Sequence, residues 1–168
     1  MRFALLLLLS LPLYSCAGYR LGGAKPPSLA GVKSIAVPMF SNGTQEPRAE
    51  ALATTAVTDA IVLDGTYRIS DRDHADAILE GKLASIQYST LRSSRLDSLL
   101  AEELTNEVRI IWTLRDAKDP TKILASGTST GSSSFFADSN LQTARRNALP
   151  DAFGRAGRNL VSNLSSGF

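Results

Sequence analysis

A thiol, an imidazole and a set of carboxylates are the side chains in this sequence whose types could support chemistry. Cys16 is the single cysteine, so no disulfide can close within the chain. His74 is the single histidine and stands in the charged run Asp71-Arg72-Asp73-His74-Ala75-Asp76. With no second histidine or cysteine beside it, metal-ligand spacing is missing. Glu102-Glu103 and Asp71, Asp73 and Asp76 could be paired for acid–base work. Nothing apolar enough to raise a carboxyl pKa lies next to them, so they read as solvated turn charges. No serine sits in a nucleophile elbow, and a serine triad would have to recruit His74. Gly22-Gly23 lacks the preceding strand and following lysine of a phosphate loop. The expectation is a chain without catalysis, metal or cofactor.

Cys16 remains, and its surroundings give it a use. Met1-Arg2 is a charged start, residues 3–13 are apolar apart from Ser10 and Pro12, and Ser15 is a small residue at the cut. At 1.5 Å per residue such a run is too short to cross a ~30 Å hydrocarbon core comfortably, so it reads as a cleaved signal peptide. Leu13-Tyr14-Ser15-Cys16 resembles the lipobox of bacterial lipoproteins, with Tyr14 bulkier than the small residue usual there. The resemblance implies that the thiol takes a diacylglyceryl group, the leader (1–15) is removed, and the new amine is acylated. A thiolate is the nucleophile that thioether formation needs. Each buried methylene adds ~0.8 kcal/mol, so three acyl chains would anchor firmly where one would not. Ala17 after the cysteine goes, in that class, with delivery to the outer membrane.

The positions of these groups depend on the elements around them. Removing the leader leaves about 150 residues, the size of one ordinary domain with a core of its own. Eighteen Lys and Arg nearly balance sixteen Asp and Glu, which implies no nucleic-acid partner and no general field toward membrane surfaces. Residues 16–31, with Gly22-Gly23 and Pro26-Pro27, read as a lipidated tether, and 32–168 as the domain.

Residues 33–38 are a short apolar strand ended by Pro38, and Ser41-Asn42-Gly43-Thr44 is turn chemistry. Pro47 can open a helix whose stripe is Ala49, Leu52, Ala53, Ala56, Val57, Ala60 and Ile61, with Gly65 as its cap. Residues 67–69 are a short strand. The strand over 77–88 changes phase near Ala84-Ser85, which predicts a bulge. Residues 103–115 alternate, with Asn106 and Ile111 as the exceptions, and a turn at 116–121 leads into a Ser/Thr-rich edge strand.

Asp138, Ser139 and Asn140 offer N-caps for a last helix that carries Phe153 and Leu160 on its stripe and Pro150 inside it. The stripe keeps its phase across Pro150, predicting one bent helix or two segments nearly in line. The order is strand-helix-strand-strand-strand-strand-helix. It predicts an α+β fold: a mixed four-stranded sheet with two amphipathic helices packed on one face. Trp112 and Phe153 are expected in the core between them.

Three stretches resemble the LPS-assembly lipoprotein family (LptE-like). Cys16-Ala17-Gly18-Tyr19-Arg20-Leu21 is similar to that family's Cys-Gly-Tyr-x-Leu opening. Residues 35–44, Ile-Ala-Val-Pro-Met-Phe-Ser-Asn-Gly-Thr, resemble its first strand and the following turn, and 75–81 the entry to its third strand. The resemblance implies an outer-membrane lipoprotein, anchored on the periplasmic side. Its domain would plug a β-barrel LPS-assembly partner and assist lipopolysaccharide insertion into the outer leaflet.

Lipopolysaccharide offers phosphates and acyl chains, so its site needs cations beside apolar surface. Arg92 and Arg95, near Leu96 and Leu99, and Lys118 and Lys122 at the hairpin turn are the candidates. They are chosen on loop position and charge, not by a family motif, and ordinary solvated loop charges are the alternative. The rival function is a periplasmic lipoprotein that activates a cell-wall synthase. It expects a long linker, and the tether here is short.

Overall fold

The structure is a computed structural model that describes residues 25–92, 103–136 and 140–166. Its elements in chain order are β1 (Ser34–Ala36), β2 (Ser41–Asn42), α1 (Ala49–Asp64), β3 (Arg68–Ile69), β4 (Ala77–Arg92), β5 (Glu103–Asp116), β6 (Ile123–Phe136) and α2 (Leu141–Ser166). Ahead of β1, a 3-10 turn over Pro27–Leu29 buries Leu29.

The sheet is mixed, as expected, but it has six strands rather than four. Its order is β3-β1-β4-β5-β6, with β2 pairing β4 off that path. All five strands of the expected order join it, and the sixth is β2, which forms at Ser41–Asn42 in the stretch that reads as turn chemistry. β1 pairs with β4 in parallel at Ile35↔Ala77, and β2 resumes the same parallel pairing at Ser41↔Lys82. Between them Pro38 has no amide to donate, and Phe40 turns inward, 2% exposed. Gly81 makes room for it: a Cβ there would lie 2.5 Å from the Phe40 ring. The α1 crossover lets β1 and β3 run parallel, whereas β4, β5 and β6 form an antiparallel meander.

The predicted phase change in β4 is a register shift between Leu83 and Ser85. It turns the strand over so that Leu79 and Leu83 before it, and Ile86 after it, all reach the core. β4 runs on to Arg92, four residues past its expected end, and β6 to Phe136. On β5 the two exceptions stand where the alternation puts them: Asn106 is buried facing inward, and Ile111 is 46% exposed.

Both helices cover one face of the sheet. α1 ends at Gly65, whose φ of 72° lets its amide bond the Ile61 carbonyl. Its buried residues are those of the expected stripe except Ala56, which is partly buried against the core, and Leu52, which is 39% exposed. Asn140 caps α2 through its Oδ1, which accepts the Thr143 amide at 3.1 Å. α2 runs unbroken through Pro150, which lies on its exposed side.

Small residues set how close the layers come. A Cβ on Gly131 of β6 would fall 2.2 Å from the Ala152 carbonyl, and one on Gly157 would fall 2.7 Å from that of Ala56. Trp112 and Phe153 belong to the same core cluster. Trp112 pairs across the strands with Gly81 on one side and Gly127 on the other, so its indole has space. Its Nε1 donates to Ser129 Oγ at 3.0 Å.

Candidate functional site: two ends and an open face

The register of the meander places the sequence candidates at opposite ends. Arg92 pairs with Glu103 at one end of the β4–β5 ladder, and Ala77 pairs with Asp116 at the other. At about 3.3 Å per residue the two ends are roughly 40 Å apart. Lys118 and Lys122 lie together at the Asp116 end, so they do not join Arg92 in one site. Arg95 and Cys16 lie outside the described residues.

The Lys118–Lys122 end is closed by its own hydrogen bonds. Asp116 Oδ1 accepts the Lys118 amide at 2.9 Å, and its Oδ2 lies 3.6 Å from Lys122 Nζ. The Lys118 amide, then that of Asp119 and the Lys122 charge, hold the Asp116 carboxyl below its ordinary pKa. Arg115 Nε pairs with Glu80 Oε2 at 3.0 Å, and its Nη1 donates to the Pro120 carbonyl. The same turn docks on the start of β4, where the Ala117 amide bonds the Asp76 carbonyl.

The opposite end holds a cluster that sequence reasoning did not single out. The Arg145 guanidinium lies 4.5 Å over the Tyr88 ring, a cation–π contact. Burial, and secondarily the Glu46 charge, push the Tyr88 hydroxyl pKa up. Asn106 Nδ2 donates to the Arg145 carbonyl at 3.2 Å. Asn106 Oδ1 and Arg145 Nε are buried with no hydrogen-bond partner among the described residues. Arg146 Nε stands 3.3 Å from Glu46 Oε1. The adjacent pair Arg145-Arg146 at the start of the last helix was the available signal, and its partners come from three other segments.

Between the ends lies the face of the meander opposite the two helices. Cross-strand rows run Glu80–Thr113–Ser126, Lys82–Ile111–Thr128, Ser85–Arg109–Thr130 and Gln87–Glu107–Ser132. Ile111 is the one large apolar side chain in those rows. Both charge signs and many hydroxyls are present, so the face is polar without a strong net field. His74 is exposed and bonded to Asp71 at 2.7 Å. Among the described residues no group of three or more His, Cys, Asp or Glu could hold a metal, and no helix is long and apolar enough to cross a membrane.

Comparisons with known proteins agree with this architecture. A Xanthomonas campestris protein matches with a TM-score of 0.53 at 15% identity, over 84% of this chain and 90% of that one. A neuraminyllactose-binding hemagglutinin homolog from Helicobacter pylori matches at 0.53 and 12%, over 89% and 91%. A minor lipoprotein from Acinetobacter baumannii matches at 0.51 and 10%, over 79% and 91%. At those identities the likeness is one of fold. No curated protein sequence matches. The family comparison does match: LptE, lipopolysaccharide-assembly, aligns with residues 32–164, from just before β1 to the last turn of α2. This chain belongs to the LptE family of lipopolysaccharide-assembly lipoproteins.

Proposed function

We propose that this protein is a non-catalytic, lipid-anchored component of the outer-membrane machinery that assembles lipopolysaccharide. Its domain would sit in the lumen of a large β-barrel partner, and Cys16 would carry the acyl chains that hold it to the periplasmic leaflet. The family membership carries the reading. Its physical support is the two-faced sheet, in which the helices cover one side and polar rows occupy the other. The interior of a large outer-membrane barrel is polar, and a domain inserted there needs a rigid, hydrogen-bonding outer surface. Three strands of 14 to 16 residues give that surface length and stiffness.

Lipopolysaccharide is the proposed ligand, with its phosphates met by cations. Because Lys118 and Lys122 sit far from Arg92, the two sets act separately if both act. The reading is tested by capture of purified lipopolysaccharide on the tagged lipoprotein, with mass spectrometry of its N-terminal peptide. Retained lipopolysaccharide and an acylated Cys16 are expected. An unmodified thiol on a protein released with the periplasmic extract contradicts the anchor, and no retention contradicts the ligand.

A further inference from the structure

We propose that a cleft between the entry to α1 and the first turns of α2 binds a phosphate group attached to an apolar chain, with Arg48 and Arg146 as its cationic side chains. This rests on the lipopolysaccharide reading above and assigns the phosphate contact to residues outside the four sequence candidates. The cleft, of about 460 Å³, is lined by Glu46, Pro47, Arg48, Leu52, Arg146 and Leu149. Its two guanidinium groups come from different elements, and its apolar lining is supplied by Leu52, Leu149 and Pro47. Leu52 departs from the buried stripe of α1 here, which leaves a leucine bordering a cationic cleft.

The charges in the cleft do not cancel. Glu46, whose side chain is 23% exposed, lies beside Arg146 Nε at 3.3 Å. Among the described residues no carboxylate lies within ion-pair distance of Arg48. Two guanidinium groups against one carboxylate leave one positive charge over an apolar lining. Guanidinium forks match phosphate oxygens two at a time, and the leucines favour an alkyl substituent over a free ion.

The loop that delivers Arg48 is fixed in place. Asn42 Oδ1 accepts the Thr44 amide and hydroxyl, while its Nδ2 donates to the Glu46 carbonyl and to Glu50 Oε2. Arg48 itself has φ 63° and is the one described non-glycine residue with positive φ. A glycine would adopt that conformation at less cost. Thus R48G removes the guanidinium while sparing the fold, which separates loss of binding from loss of structure.

The test is calorimetric titration of the purified full-length lipoprotein in detergent with three probes: inorganic phosphate, glycerol 3-phosphate and dihexanoyl phosphatidic acid. Dihexanoyl phosphatidic acid is expected to bind more tightly than the other two. R48G and R146Q are each expected to weaken it about tenfold, the loss of a charge-assisted hydrogen-bonded contact. L52Q is expected to weaken phosphatidic acid and leave inorganic phosphate unchanged. Equal binding by wild type and the R48G/R146Q double variant overturns the site. Inorganic phosphate binding as tightly as the lipid, with L52Q silent, overturns the apolar half of the assignment. Lipopolysaccharide capture on the same variants separates the two levels. Capture by wild type and double variant alike removes only the cleft, whereas no capture by wild type removes the ligand reading itself.

Discussion

The carboxylate of Asp76 accepts three hydrogen bonds from Lys33 and Ser34, 42 residues away from the latter: both backbone amides and the Ser34 hydroxyl, at 2.9 to 3.0 Å. The Ser34 hydroxyl and carbonyl both accept the Asp76 amide in return. This exchange fixes where β1 begins against β4, and with it the register of the parallel half of the sheet. The Lys33 amide first, then the Ser34 amide and hydroxyl, hold the Asp76 carboxyl below its ordinary pKa.

A folded-state pKa below the unfolded one stabilises the protein above the unfolded value, near 3.9, and that contribution is lost as pH falls through the folded value. D76N is therefore expected to lower the urea midpoint at pH 7, by about 1 kcal/mol in stability for an exposed charged acceptor. Wild type and variant should converge at acid pH, below the folded pKa. A gap between them that stays constant from pH 7 to pH 2 argues against the carboxylate as the anchoring group.

Trp112 is the only tryptophan, buried at 4% exposure and hydrogen-bonded to Ser129 Oγ. Its emission should be blue-shifted in the folded protein and move red in one transition with urea. W112F leaves the buried Ser129 hydroxyl without that donor and opens space beside Gly127, which should cost about 1–3 kcal/mol. Equilibrium unfolding followed by circular dichroism measures the difference.

The glycines of α2 and β6 should respond in opposite directions. G131A drives a methyl into the backbone of α2 and is expected to destabilise by about 1–3 kcal/mol. G154A meets nothing nearer than Arg158 Nη1 at 3.5 Å and should stabilise the helix by roughly 0.5–1 kcal/mol. Thermal melts of the two variants check both signs.

Tyr67 is 2% exposed and donates its hydroxyl to the Leu164 carbonyl at 2.7 Å, tying the segment before β3 to the end of α2. Burial, with the Asp64 charge second, raises its pKa to about 12. Its contribution is therefore complete below pH 10 and is lost as pH rises toward 12. Ultraviolet titration should show Tyr67 ionising near pH 12, with Tyr88 also delayed beyond an ordinary tyrosine, and Y67F should abolish the step near pH 12. It should also cost about 1 kcal/mol at neutral pH.

Much of this architecture was legible because its long elements carry strong periods. The β4 bulge, the Asn106 and Ile111 exceptions, the Gly65 cap and the Asn140 cap each follow from local chemistry that needs no partner to be seen. β3 falls within the short strand read at residues 67–69, whereas the two-residue strand β2 has no period to read, and only pairing with β4 makes it a strand. Asp76 looked like a solvated turn charge because its partners lie across the fold. Leu52 keeps helical spacing with the buried stripe, yet the cleft beside Arg48 and Arg146 leaves it uncovered.

The candidate site was less legible. Charge and loop position singled out lysines that the register places at the far end from Arg92. The basic pair Arg145-Arg146 gained significance only when α2 brought it beside Tyr88 and Glu46.

The central claim is that this domain works inside a barrel, and purification of the tagged lipoprotein from outer membranes in mild detergent tests it most directly. The account predicts a single large β-barrel protein recovered with it in stoichiometric amount. Recovery of a cell-wall synthase instead, or of the lipoprotein alone from the outer-membrane fraction, contradicts it.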